Sequence, residues 1–237
     1  FMPCNGRFPA MISLIAIFFA GESKSLAALM LAGIVLLGVL LTFLCSALLS
    51  KTLLRGTPGS FTLEIPPYRS ANIGRILVRS LLDRTVFVLG RAILVAAPAG
   101  AVIWLLGNVS DGRLLRLCAG VLAPLGSWMG LDGVILLSFI LALPANELVL
   151  PVLLMQLSGS STLLQSEASL GMLLRAAGWT HKTALCMLLF FLLHWPCSTT
   201  LLTIRRESGR WSDVLLAFCL PTIAGILLCG LTAALFR

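Results

Sequence analysis

Residues 26–50 read LAALMLAGIVLLGVLLTFLCSALLS, a run without one charged side chain. As a helix it rises about 37 Å, more than the roughly 30 Å of hydrocarbon in a bilayer. A helix apolar on every side belongs either to the core of a large protein or to a membrane span. In a chain of 237 residues, this stretch decides for the membrane. Outward from it the pattern recurs. Thr85–Gly107 is long enough to cross, although Arg91 lies inside it, and Val214–Phe236 crosses near the end. Gly133–Leu157 is apolar but interrupted by Pro144-Ala145-Asn146-Glu147, and Thr183–Ile204 by His194-Trp195-Pro196-Cys197-Ser198. Phe8–Ala20 is apolar but too short to span by itself. The fold class expected is an all-α polytopic membrane protein with broken helices and a re-entrant hairpin.

Composition excludes the main rivals. Hydrophobic residues make up 59% and charged residues 11%, where soluble domains carry about 25% charged residues. A water-soluble enzyme, a disordered chain and a disulfide-stapled secreted module all fall away. The formal charge of +8 could suggest nucleic acid, but the cations sit in loops between apolar runs and a single tyrosine is present. That is positive-inside bias, not a basic–aromatic patch for stacking bases. Seven cysteines scattered through apolar segments form no disulfide framework. The chain opens Phe-Met-Pro-Cys-Asn-Gly, without a signal-peptide pattern, and reads as a piece of a longer polypeptide.

Parity gives a topology. With the basic segments Lys51–Arg84 and Arg205–Asp213 both cytoplasmic, Thr85–Gly107 runs outward and Thr183–Ile204 returns. Gly133–Leu157 then makes no net crossing unless Leu114–Leu131 also crosses. A re-entrant hairpin with its tip at Pro144–Glu147 satisfies the count, each arm reaching about half of the hydrocarbon. Non-helical backbone at that depth is tolerated only inside protein or beside a cavity. Ser158–Lys182 then faces outward, with an amphipathic stretch around Leu170–Ala177. In the basic segment, Ile73, Ile76, Leu77 and Leu81 share one helical face and Arg75 and Arg79 another. This reads as an interfacial helix with snorkelling arginines, or as a dock for a cytosolic domain.

Chemistry concentrates at three polar breaks: Pro3-Cys4-Asn5, Pro144-Ala145-Asn146-Glu147 and His194-Trp195-Pro196-Cys197-Ser198-Thr199. Pro-Cys occurs in two of them, and broken helices at corresponding positions of an inverted repeat point to a transporter site. Glu147 is the most informative residue, since an intramembrane carboxylate needs a partner or water. It contacts a transported cation or proton, or it caps amides freed beside Pro144. His194 is a core histidine or, three residues before Cys197, a ligand. Cys4 and Cys197 are ligands or filler, as Cys45, Cys186, Cys219 and Cys229 are expected to be. Ser198, Thr199 and Thr200 could satisfy carbonyls freed by Pro196. Thiolate, imidazole, carboxylate and amide oxygen together suit a borderline divalent transition metal better than Mg²⁺ or Ca²⁺. No nucleophile–base–orienter set marks an enzyme. A structural scaffold would have no use for an intramembrane glutamate.

Five ordered motifs carry a resemblance: Phe1-Met-Pro-Cys-Asn-Gly-Arg-Phe-Pro9, Phe61-Thr-Leu-Glu-Ile-Pro-Pro-Tyr-Arg69, Asp83-Arg-Thr-Val-Phe-Val-Leu-Gly-Arg91, Pro144-Ala-Asn-Glu147 and His194-Trp-Pro-Cys-Ser-Thr-Thr200. Together they closely resemble the ferrous iron transport protein B (FeoB) family over nearly the whole chain. The resemblance implies a multi-pass importer of Fe²⁺ in a bacterial or archaeal inner membrane, with two inverted gate-type repeats. It divides the chain into 1–50, the end of the first gate repeat with a transmembrane helix; 51–84, a basic cytoplasmic loop; 85–132, a transmembrane helix and external segment; and 133–237, the second gate repeat and last helix. It makes Cys4, Asn5, Asn146, Glu147, His194, Cys197 and Ser198 the candidate contacts of Fe²⁺, a cargo and not a resident cofactor. It adds as partners the lipid bilayer, an N-terminal G domain that would bind GTP and Mg²⁺, small cytosolic accessory Feo proteins and a homo-oligomer, with no nucleic acid. No Gly-x-x-x-x-Gly-Lys-[Ser/Thr] occurs here, so nucleotide chemistry is expected elsewhere in the full polypeptide. The rival within transporters is a gate-family carrier of nucleosides or another small solute.

Overall fold

The computed structural model describes residues 3–19, 24–52, 72–108, 112–158 and 167–236. The Phe61–Arg69 motif, Arg55 and the stretch 159–166 of the expected external segment lie outside the described residues, as do the side chains of Arg84 and Arg91. The described residues form helices joined by short turns and breaks, with no strand among them. In chain order they form α1 (Phe8–Phe18), α2 (Lys24–Lys51), α3 (Ile73–Ser80), α4 (Phe87–Asn108), α5 (Arg113–Trp128), α6 (Gly133–Leu141), α7 (Val149–Ser158), α8 (Glu167–Ala176), α9 (His181–Leu193), α10 (Ser198–Ser208) and α11 (Trp211–Leu235).

α9 is the axis of the molecule. Every residue from Cys186 to Leu193 is buried, as a helix apolar all round must be when other helices surround it. α11, α1 and α2 pack on it. Phe139 of α6 meets Phe190 and Phe191 edge-on, both at 4.8 Å between ring centroids. Each such pair adds about 0.5–1.5 kcal/mol beyond the area it buries. The outer helices show the opposite pattern: Leu29, Leu36 and Phe43 of α2 and Leu215, Leu227 and Leu231 of α11 are exposed. In water that surface would aggregate; in a bilayer it meets lipid tails. Among the described residues, Lys24–Lys51, Trp211–Leu235 and the broken unit His181–Ser208 are long and apolar enough to cross. This is an all-α polytopic membrane protein.

Two segments refine the sequence reading. The basic region does not end where the span begins: α3 runs through a π-helical stretch, Leu81–Val86, directly into α4. Residues 73–108 are therefore continuous helix, and no proline or strong cap lies at the junction to stop it. The segment that follows Thr85–Gly107, where Leu114–Leu131 is an optional crossing, contains the sixteen-residue α5, which turns through 112° into α6. Gly133 permits that turn. A Cβ there would collide with the Ala119 carbonyl, so only glycine lets α6 fold back this closely on α5.

The hairpin expected at 133–157 is present as α6, a break, a 3₁₀ turn at Asn146–Leu148 and α7. Gln156 Nε2 donates to Ser138 Oγ at 2.8 Å, tying the two arms together. Pro144 supplies no N–H and disfavours helix at Leu143, which ends α6. In the same way Pro196 ends α9, whose last bond runs from the His194 N–H to the Phe190 carbonyl at 2.7 Å.

Candidate functional site

The three polar breaks converge. Ser198, first residue of α10, donates its N–H to the Leu143 carbonyl at 2.9 Å and its hydroxyl to the Pro144 carbonyl at 3.4 Å. Backbone acceptors released at one proline break are thus answered by donors released at the other. The first break joins both. Gly6 lies on Glu147 so tightly that a Cβ would stand 2.6 Å from Glu147 Cγ. Arg7 reaches the end of α9, where its guanidinium donates to the carbonyls of Leu192 at 3.3 Å, His194 at 3.4 Å and Trp195 at 3.0 Å.

Arg7 is 6% exposed. An arginine at bilayer depth costs about 3 kcal/mol or more. Charge-assisted hydrogen bonds worth about 1.5–3 kcal/mol each offset that cost, and carbonyls at a helix C-terminus are where a cation is most welcome. The local fold delivers the side chain there. The Cys4 carbonyl accepts from the N–H groups of Arg7 and Phe8, at 2.9 and 3.3 Å, and Pro9 sits in the first turn of α1, where a missing N–H costs nothing.

His194 is 2% exposed and fully engaged. Nδ1 lies 3.0 Å from both the Phe190 and Phe191 carbonyls, so that nitrogen carries the proton. In the neutral ring Nε2 is then the lone-pair nitrogen, and it lies 3.2 Å from the Asn146 side-chain oxygen. The two ends of that amide are isosteric; turned over, it offers its NH₂ to Nε2 and its oxygen to the Cys4 thiol. Asn146 Nδ2 and Cys4 Sγ are 4.0 Å apart, so one amide bridges the first break to the third. A histidine that gives one N–H to a backbone carbonyl is oriented as metal-binding histidines are; here the Asn146 amide occupies the other nitrogen.

Cys197 is half-buried, with Sγ 3.0 Å from the Thr199 hydroxyl and 3.2 Å from that of Thr200. Cys4, Arg7, Asn146, His194, Cys197 and Thr200 line one cleft of about 460 Å³, closed on its other side by α11 from Asp213 to Pro221. The remaining sequence candidates stand apart from that cleft. Asn5 is exposed in the turn, and Ser198 spends its hydroxyl on the hairpin. Glu147 is exposed and makes no amide-capping bond at the 3₁₀ turn. Among the described residues no group of three or more His, Cys, Asp or Glu stands close enough to hold a metal.

Two residues of the site were not singled out in the sequence. Arg7 carried a signal, as a lone cation inside a polar break and not in a basic loop. Asp213 is the carboxylate that lines the cleft, accepting from the Ser212 hydroxyl at 3.4 Å. Its signal is the spacing 213, 216, 217, 220, 221, one face of α11.

Comparison with known proteins adds an independent line. A family model described as "Nucleoside recognition", the gate domain, matches residues 79–211, and one described as "Ferrous iron transport protein B C terminus" matches residues 31–83. The Fe(2+) transporter FeoB of Staphylococcus aureus (strain COL) is 30% identical over 96% of this chain and 34% of its own length. A Fe(2+) transport protein A/Fe(2+) transporter FeoB fusion protein of Porphyromonas gingivalis is 27% identical over 89% of the chain and 30% of its own length. The FeoB of Campylobacter jejuni is 25% identical over 92% of the chain and 37% of its own. The chain thus spans about a third of the length of these curated relatives. No solved structure matches it. With the gate domain covering more than half of its residues and the iron-transport C-terminal model beside it, the chain belongs to the ferrous iron transport protein B family, as part of its C-terminal membrane portion.

Proposed function

We propose that this chain forms part of a transmembrane path for Fe²⁺, with the cargo passing through the cleft where the three breaks meet. The observation that carries this reading is the convergence itself: Cys4, Asn146, His194 and Cys197, from segments far apart in sequence, line a single cleft. Two thiols, an imidazole and an amide form a mixed soft–hard donor set of the kind Fe²⁺ accepts, the ion taking the place of the contact between His194 and Asn146. Such scattered donors pass an ion along; a resident metal would call for a closed shell. Glu147 and Asn5 form the approach to the first break, where an exposed carboxylate attracts a dication.

The nucleoside alternative has less support. Trp195, the ring available to stack a base, is already stacked on Phe218 at 5.5 Å. The partners that accompany the iron reading are a GTP-binding domain on the remaining polypeptide and a small accessory Feo protein. The Porphyromonas gingivalis relative, named as a fusion of transport protein A with FeoB, supports the latter. The test is Fe²⁺ uptake by the full-length protein carrying His194→Gln, normalised to the amount inserted. Loss of about ten- to hundredfold is expected when a metal-orienting group is removed. Uptake at the wild-type rate would remove the cleft from the path.

A further inference from the structure

In transporters built on broken helices, the carbonyls laid bare at the C-terminal end of a half-helix coordinate the co-transported cation. α9 ends in such a set, and here its acceptors are taken. The Leu192, His194 and Trp195 carbonyls all receive the Arg7 guanidinium, at 3.0 to 3.4 Å. That guanidinium comes from another break, is buried, and borders the same cleft as Cys4, Asn146, His194 and Cys197. Its contacts among the described residues are carbonyls and not carboxylates, which is the environment of a bound ion and not of an ion pair.

We propose that Arg7 is a tethered cation standing where a coupling ion would otherwise bind. It is a positioning residue. By filling the carbonyls at the end of α9 it holds the non-helical stretch 194–197 in one shape, and so sets His194 and Cys197 around the cleft. Divalent cargo is thereby left to the side-chain donors, because the backbone acceptors are already neutralised. Three carbonyls in different directions need the planar guanidinium fork; a lysine ammonium keeps the charge without that geometry. The inference rests on the transit reading given above.

The experiment uses the full-length protein, with Arg7→Ala and Arg7→Lys beside Cys197→Ser, and Fe²⁺ uptake counted per inserted molecule. Arg7→Ala is expected to lower uptake about ten- to hundredfold, the range for losing a group that orients metal donors. Added guanidinium chloride should restore part of it where sodium chloride at the same concentration does not, and Arg7→Lys should fall between the two. Alkylation of Cys197 by a maleimide supplies a readout besides transport: its rate should change in Arg7→Ala and return toward wild type with guanidinium. Wild-type uptake per molecule in Arg7→Ala overturns the proposal. So does a loss that guanidinium leaves untouched and that follows the melting temperature of the variant, since that outcome makes Arg7 a folding residue only. Undiminished uptake in Cys197→Ser instead removes the transit reading itself, whatever Arg7 does.

Discussion

The two Pro-Cys breaks look alike in sequence and differ in how the helix that follows is packed and in what the cysteine touches. Each precedes a helix of eleven residues, α1 after Pro3-Cys4 and α10 after Pro196-Cys197. α1 is sealed into the core by Ala10, Met11, Leu14, Ile15 and Phe18, whereas α10 buries no residue. Cys4 is exposed, with the Asn146 amide at 4.0 Å, while the Cys197 sulfur is held between two threonine hydroxyls. The first break contributes a rigidly delivered cation, and the second contributes the carbonyls that receive it and a fixed thiol. A repeated dipeptide therefore marks where a helix stops, while the residues that follow decide what the stop is used for.

The sharpest way to break that comparison is to exchange sulfur for oxygen at each site. Serine replaces a soft thiolate donor by a hard hydroxyl of far higher pKa. In the full-length protein Cys197→Ser is expected to cut Fe²⁺ uptake about tenfold or more, and Cys4→Ser only a few-fold. The order follows from fixity: a donor held at 3.0 and 3.2 Å by two hydroxyls has less freedom to yield its place than an exposed one. Equal losses at both positions would make the breaks functionally equivalent and the structural contrast incidental.

A smaller effect is expected at the tip of the hairpin. Glu147 is exposed on this chain, outside the cleft, and pressed against Gly6. Glu147→Gln keeps that packing and removes the charge. Uptake should fall several-fold, with the half-saturating Fe²⁺ concentration raised and the maximal rate little changed, if Glu147 has the proposed role of attracting the ion on approach. A fall in maximal rate at unchanged half-saturation would move Glu147 into the path. Gly6→Ala offers the steric counterpart. Its methyl would stand 2.6 Å from Glu147 Cγ, so either the Glu147 side chain turns away or the first break shifts. Overpacking of that kind costs about 1–3 kcal/mol, readable as a lower melting temperature in detergent.

The contrast also shows what a sequence can disclose. The stops at Pro144 and Pro196 were legible because a proline within an apolar run both removes a donor and obstructs the preceding turn. The division between Asn146 and Glu147 was legible in principle, since neighbours on a helical turn face apart; one enters the cleft and the other leaves it. Arg7 was not. Its partners are backbone carbonyls 185 to 188 positions away, and a carbonyl has no letter in the sequence. The unbroken helix from residue 73 to 108 was hidden for a related reason. Polarity changes along it, but no proline or cap stands where it changes, and Pro98 further on lies within α4 without ending it.

The smallest effects belong to cysteines away from both breaks, and they calibrate the rest. Cys45 lies half-buried toward the C-terminal end of α2, and Cys229 is fully buried in α11, where its thiol donates to the Cys186 carbonyl at 3.3 Å. Neither lines the cleft. A serine at 229 can keep the bond to that carbonyl, so the exchange buries a satisfied hydroxyl in place of a weakly bonded thiol. At 45 the new hydroxyl can turn back to a carbonyl of its own helix, as Thr42 does to Gly38 at 2.7 Å. The stability cost in each case is about 1 kcal/mol, set by the polarity of the group that is buried. Uptake per inserted molecule is expected to match wild type in both variants, and protection of transport against a thiol reagent should be absent, since the reagent's target remains at Cys197. A loss at Cys229→Ser as large as at Cys197→Ser would show that sulfur anywhere on the central helices matters to transport, and the distinction between the breaks and the uninterrupted helices would fall with it.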